Sequence, residues 1–356
     1  MNISDELTRL SILKNLLGAD LPTPGKKRVL ISVADMDDGA LIEMSQNESL
    51  VVSSDFVRGP HFYLAELGYL NYFDLGYFLI VANLSDIAAM GASPIGLTTI
   101  VRYTKDLSDE DFSQVFRGIK AAADKYSVQV VGGDIGEYAC TVLAATALGV
   151  VNPEHALRRN GASPGDLLCV TGNIGLPITA IMYFKEWKKK GMNFTLEQEG
   201  HLLDSWKKPC ARLQQGIYLS NNKIATSCQD ISDGLKATIQ QISEASNCGF
   251  TVEAAALPID ACTISLARFI GIDDIQIAMS ASVDFELLFT ASQDGFDAFN
   301  ATFSKLGMPA SIIGRAHSEK RNLLLNRDGS LTEIPGVTWR QQTNDYLTDI
   351  TKKDAK

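Results

Sequence analysis

Five short turns in this chain carry aspartate beside small or polar residues: Asp37-Asp38-Gly39, Ser53-Ser54-Asp55, Asn83-Leu84-Ser85-Asp86, Gly132-Gly133-Asp134 and Asp230-Ile231-Ser232-Asp233-Gly234. Each lies near an apolar segment. Carboxylate oxygen at the end of a strand suits a hard cation or a metal-bound phosphate, and glycine lets the backbone approach closely. Gathered around one site, such aspartates hold Mg2+, and the ion neutralises the phosphates of a nucleotide. Phosphoryl transfer then needs positioning, cations and an in-line nucleophile, with little covalent help from the protein. Ser54 and Ser232 could add a metal oxygen or donate to phosphate. Gly133 would let backbone N–H groups meet a phosphate, and Arg159 could clamp one bidentately. A plainer account exists for each residue. Aspartate in a Gly/Ser turn is usually a cap or an Asx-turn. Asp230 and Asp233 could cap the next helix, His61 could be a surface turn residue, Arg159 a solvated linker charge and Trp339 a packing anchor. Spacing alone does not bring the aspartates together.

The elements that would position them read as follows. Residues 3–17 have the apolar spacing of an amphipathic helix ending at Gly18. A basic, proline-rich connection to Arg28 contains Gly25-Lys26-Lys27, which lacks both the first glycine and the Ser/Thr of a P-loop. Strands are expected at Val29–Val33, Leu50–Val52, Leu97–Tyr103, 128–132 and Thr141–Gly149, with the 128–132 strand buried. A buried helix over Leu75–Met90 would carry Asp86, whose carboxylate then needs a partner. Ser108 opens a helix running to about Tyr126. Residues 151–166, with two prolines and two glycines, form the expected boundary between a domain at 1–152 and a second at 153–340; 341–356 is a polar tail. The second domain restarts with a strand at Leu167–Thr171 and a glycine turn, Gly172 to Gly175. Helices are expected near 177–189, 196–206, 211–221, 235–247 and 294–306, and strands at Glu286–Thr290 and Ser311–Arg315. The fold class is α/β or α+β.

At 356 residues, 46% hydrophobic and 21% charged, the composition is that of a globular protein. The net charge of −10 argues against broad nucleic-acid binding. The six cysteines form no zinc-type pair and read as reduced thiols, mostly buried. No apolar run reaches membrane-spanning length, and the polar, acidic N-terminus is no signal peptide. The expected location is cytoplasmic.

The order of the motifs resembles the thiamine-monophosphate kinase family. The resemblance rests on Asp-Asp-Gly-Ala-Leu at 37–41, Ser-Ser-Asp at 53–55, Gly-Pro-His-Phe at 59–62 and Ala-Asn-Leu-Ser-Asp-Ile-Ala-Ala-Met-Gly-Ala at 82–92. It continues through Gly-Gly-Asp at 132–134, Arg-Asn-Gly-Ala-Ser-Pro-Gly-Asp at 159–166 and Asp-Ile-Ser-Asp-Gly-Leu at 230–235. It implies an N-terminal α/β domain that dimerises into a shared barrel, a C-terminal α/β domain, and ATP in the cleft between them. It further implies transfer of the γ-phosphoryl group of ATP to thiamine monophosphate with Mg2+, by a homodimeric enzyme acting on a small molecule. Carried over by position, Asp38, Ser53, Ser54, Asp55, Asp86, Asp134, Asp230 and Asp233 match metal-site residues. Gly133, Asp134, Arg159 and Ser232 match ATP contacts, and His61 and Trp339 match substrate contacts. Where the family has Gly-Gly-Glu-Asp-Tyr/Phe-Glu, this chain has Ala281-Ser282-Val283-Asp284-Phe285-Glu286, so Val283 stands at a glutamate that contacts substrate. The Asp55–His61 loop is one residue shorter than usual, and Ala34-Asp35-Met36 replaces Gly-x-Gly. Two other readings remain open at this point: an enzyme of the same superfamily that activates an amide or carbonyl oxygen, and a nucleotide-binding protein without turnover.

Overall fold

The computed structural model describes residues 29–31, 35–338 and 350. The expected helix at 3–17, the basic connection, Trp339 and nearly all of the tail lie outside them.

The first sheet is built from β1 (Val29–Ile31), β2 (Ala40–Ser45), β3 (Glu48–Val57), β4 (Ser93–Tyr103), β5 (Val130–Glu137) and β6 (Val142–Val151), in the order β1-β2-β3-β6-β4-β5. Helix α1 (Tyr72–Ala89) follows β3, and α2 (Asp109–Lys125) lies between β4 and β5. Asn71 and Asp74 start α1 with a reciprocal capping box. Its sequence is apolar nearly all round, so it must be covered on all sides. The first sheet, α2 and elements of the second half cover it. Along β6, buried and half-buried residues alternate strictly, so one face of the sheet meets α1 and the other looks outward. Register places Phe56, Ala144, Ile100 and Asp134 in one row on that outer face. Phe56 and Ile100 are 54% and 47% exposed. The apolar run that opens 128–136 does not make the buried strand its composition predicts: Val128 is buried, but Val130 and Val131 are exposed. Residues 130–137 form β5, which among the described residues lies at the sheet edge, pairs only with β4 and is exposed along most of its length.

The segment 152–166 holds only turns and bends. After it come β7 (Leu167–Thr171), α3 (Leu176–Met182), α4 (Leu196–Lys207), α5 (Leu213–Asn221), β8 (Ala225–Asp230), α6 (Leu235–Ser246) and β9 (Gly249–Glu253). Then follow α7 (Ala261–Ile270), α8 (Asp274–Ala278), β10 (Leu287–Ala291), α9 (Gln293–Phe303), β11 (Ala310–His317), β12 (Leu323–Leu325) and β13 (Leu331–Glu333). The second sheet runs β13-β12-β9-β11-β7-β10-β8. Both β7 and β10 are buried at every residue, and alternate side chains enter two different cores. Leu168 and Val170 share one core with Leu235 and Ile239 of α6, whereas Leu167 and Cys169 join the core that also holds α1. Burial on both faces explains their unbroken apolar sequences. All six cysteines are free, with Cys140 exposed and Cys210 half-buried.

Candidate active site

The C-terminal turn of α1 lies at the seam between the two sheets. Consecutive residues there serve both sides. Ser53 of β3 donates to Asp86 Oδ2, and Ser85 donates to Asp230 Oδ2 at 2.5 Å, at the end of β8. Asp38 arrives from the turn before β2. One carboxylate oxygen each from Asp38, Asp86 and Asp230 lies within 4.8 Å of the others. Arg159, from the inter-sheet segment, pairs with Asp38 at 2.5 Å and donates to the Met36 carbonyl at 2.7 Å. Its backbone N–H faces Asp37.

Three like charges in a buried place repel and lose hydration together. Burial, then Asp230 and Asp38, pushes the Asp86 carboxyl well above the ordinary carboxylate range. Burial, then Asp38, pushes Asp230 up to about 7, and the same two causes push Asp37 up to about 7. The Arg159 guanidinium answers only part of this charge. Asp38 Oδ2 is buried with no hydrogen-bond partner among the described residues. An all-oxygen donor set with an unsatisfied buried carboxylate oxygen fits a hard divalent cation. Asp55 and Asp233 lie nearby. Burial raises both, and Asp233 adds to the rise at Asp55.

From this acidic group a cavity of about 440 Å3 extends between the halves. Asp55, Asp86, Ser232 and Asp233 line one end; Phe62, Tyr63, Phe78, Trp206, Val283 and Phe285 line the other, with Arg58 among the lining residues. Phe78 and Trp206 stack at 5.6 Å between centroids, and Phe62 meets Phe78 edge-on at 4.9 Å. Such a wall offers a flat ring both faces and edges.

The structure therefore gathers Asp38, Ser53, Asp55, Asp86, Arg159, Asp230, Ser232 and Asp233, and places Val283 in the same cavity. The idea that Asp230 or Asp233 merely caps a helix fails, because Gly234 occupies the N-cap of α6 with no side-chain cap bond. Other residues go elsewhere. Ser54 points to the opposite face of β3 and bonds Thr146 at 2.8 Å, because neighbouring strand residues face opposite ways. Asp134, on that outer face, pairs with Arg102 at 2.6 Å. Gly133 has φ +155°, and a Cβ there would lie 2.1 Å from the Thr99 carbonyl oxygen, so close approach to β4 accounts for the glycine. His61 is exposed in a 3-10 turn and is absent from the cavity lining; the next two residues, Phe62 and Tyr63, line it instead. Trp339 lies outside the described residues. Sequence reasoning missed Asp37, Ser85 and the aromatic wall. The first two stand inside the motifs already singled out. The aromatics come from separate segments and share no spacing.

Two family models match the chain: AIR synthase related protein, N-terminal domain, over residues 36–151, and AIR synthase related protein, C-terminal domain, over 163–324. The thiamine-monophosphate kinase of Pyrococcus abyssi is 30% identical over 307 residues, 85% of this chain and 89% of that protein. The crystal structure of thiamine-monophosphate kinase from Stenotrophomonas maltophilia is similar with a TM-score of 0.71 at 30% identity, over 92% of this chain and 96% of that one. AaThiL complexed with AMPPCP and TMP shares the fold, with a TM-score of 0.78 at 22% identity over 96% and 99% of the two chains.

Proposed function

The chain belongs to the thiamine-monophosphate kinase family, phosphotransferases that use ATP, and from that premise we propose that it phosphorylates thiamine monophosphate to thiamine diphosphate with Mg2+. One observation carries this reading. Asp86 belongs both to the carboxylate group that fits a cation and to the wall of a cavity with an aromatic far end. A phosphoryl donor held at the first and a ring-bearing phosphate acceptor held at the second meet at that residue.

Asp38, Asp86 and Asp230 would hold magnesium, with Asp55 and Asp233 as further donors. The ion supplies charge neutralisation along the phosphates. Arg159 pairs with Asp38 and Ser232 donates to Asp230, so both adjoin the carboxylates and are suited to phosphate oxygens. The aromatic wall stacks the ring of the acceptor, and Val283 covers it with apolar surface. A terminal phosphate oxygen of the acceptor attacks the γ-phosphorus in line; one P–O bond forms, the bond to ADP breaks, and ADP leaves with the electron pair. Exclusion of water by the aromatic side disfavours hydrolysis.

We also read the chain as a homodimer acting in the cytoplasm. The exposed row of Phe56 and Ile100, with Val131 and Ile135 on the edge strand, supports association with a second copy. No described helix is long and apolar enough to cross a membrane.

Incubation of purified protein with Mg-ATP and thiamine monophosphate tests the reading, with ADP, orthophosphate and thiamine diphosphate followed together. Equal amounts of ADP and thiamine diphosphate are expected. Orthophosphate in place of a phosphorylated product would move the assignment to activation of an amide or carbonyl oxygen, a reading that Val283 leaves open because it offers the acceptor no hydrogen bond.

A further inference from the structure

The segment 281–286 is a partition with two sides. Val283 and Phe285 face the aromatic cavity, whereas Asp284 and Glu286 face a second cavity of about 420 Å3 behind it. This is the alternation of an extended chain. Phe285, however, has φ +51°, a left-handed conformation that bulky residues avoid and that surrounding structure must hold in place.

What holds it lies on the reverse side. Arg212 grips Glu286 with two nitrogens, Nε at 2.6 Å from Oε2 and a terminal nitrogen on Oε1. The Thr171 hydroxyl donates to Glu286 Oε2 at 2.6 Å and accepts from the Leu287 N–H at 2.8 Å. Asp284 Oδ1 accepts from the Gly175 N–H at 2.9 Å. A Cβ at Gly172 would lie 2.2 Å from Glu286 Oε1, so the glycine turn after β7 is the seat of this carboxylate. On the backbone, Phe285 N–H donates to the Ile231 carbonyl at 3.0 Å and Ile231 N–H donates to the Glu286 carbonyl at 2.8 Å. The partition is thus fastened one residue from Asp230.

We propose that Arg212, Asp284 and Glu286 are positioning residues that act through Val283 and Phe285 and set how the acceptor is held. Apolar side chains of similar volume would fill the same space with comparable stability. A bidentate ion pair adds direction, and direction is what a strained wall residue requires. The proposal rests on reading the aromatic cavity as the acceptor site.

Three variants test it: Glu286→Gln, Arg212→Lys, and Gly172→Ala, which leaves every charge in place while displacing the Glu286 carboxylate. Folding of each is checked by thermal melting. Amide hydrogen exchange of residues 282–286, measured without ligands, should speed up by about tenfold or more, the scale of one charge-assisted hydrogen bond. The rest of the second sheet should remain within about twofold. With thiamine monophosphate, the acceptor KM should rise about tenfold while the KM for ATP stays within about twofold. Arg212→Lys should lose as much as the others despite keeping the charge, because an ammonium cannot make the two-nitrogen grip. Unchanged exchange in folded variants overturns the proposal, and so does an equal loss in both KM values. If wild-type protein makes no thiamine diphosphate, the functional reading fails by that result alone, and the exchange data still decide the positioning role.

Discussion

At one end of the cleft, Asp38, Asp86 and Asp230 bring three carboxylates within reach of one another, with one buried oxygen unpartnered among the described residues and the group pushed toward protonation. At the other, Phe62, Phe78 and Trp206 are in stacked and edge contact with each other and need no ligand to be satisfied. The acidic end is under electrostatic load that a bound cation would relieve, so its stability depends on solution conditions. The aromatic end is preorganised, so its contribution is shape. On the proposed function, the contrast would separate groups that drive the chemistry from groups that choose what undergoes it.

The sharpest way to break this comparison is Asp86→Asn. Turnover should fall by about a thousandfold or more, because metal-supported charge stabilisation is worth several kcal/mol. The metal-free variant should melt no lower than wild type, since a repelling charge is gone. A loss in ADP formation of less than about tenfold would detach the carboxylates from the reaction. At the aromatic end, Phe78→Ala should cost about 3–5 kcal/mol in urea unfolding. It should leave magnesium affinity, measured by calorimetry, unchanged. A large change in metal affinity would mean that the two ends are not separable.

The response to pH comes next in size. Asp37 and Asp230 titrate near 7 in the folded chain and near 3.8 in ordinary surroundings. Between those values the native state binds more protons than the unfolded one, so metal-free stability falls as pH rises from about 4 to 7 and levels off above that. The melting temperature of metal-free protein should drop by about 5 °C from pH 5.5 to 8. Saturating magnesium should recover most of the loss at pH 8 and little at pH 5.5. Asp284, pushed up to about 7 by burial, leaves a residual slope that magnesium does not remove. A melting temperature that rises across this range without metal would contradict the electrostatic account of the acidic end. The smallest effect belongs to Val283→Glu, which returns a hydrogen-bonding group to the acceptor wall. The KM for thiamine monophosphate should fall about threefold to tenfold, with the KM for ATP unmoved.

Much of the acidic end was legible in the sequence, because glycine and serine beside aspartate mark sharp turns and the order of the motifs is specific. Ser53 and Ser54 show where local reading stops. They are adjacent, yet strand alternation sends one to Asp86 and the other to Thr146. Strand β8, which delivers Asp230, was invisible because Thr226, Ser227 and Gln229 give it little apolar signal; pairing with β10 and the hydroxyl contacts to Thr290 hold it. The aromatic wall left no trace in the sequence, since tertiary packing alone brings Phe62, Phe78, Trp206 and Phe285 together. The expected burial of β5 failed for a related reason: its apolar residues lie at an edge, and composition cannot tell an edge from a centre.

The Ser85–Asp230 contact joins residues 145 positions apart. Synthesis at about 5–20 residues per second places roughly 7–30 seconds between their appearances on the ribosome. During that interval the growing chain already carries Asp38 and Asp86 but lacks Asp230, the third member of the carboxylate group. On the proposed function, a nascent or truncated polypeptide that ends before Asp230 would be catalytically silent, and the cell's ATP would meet this chemistry only after that part of the cleft has been made.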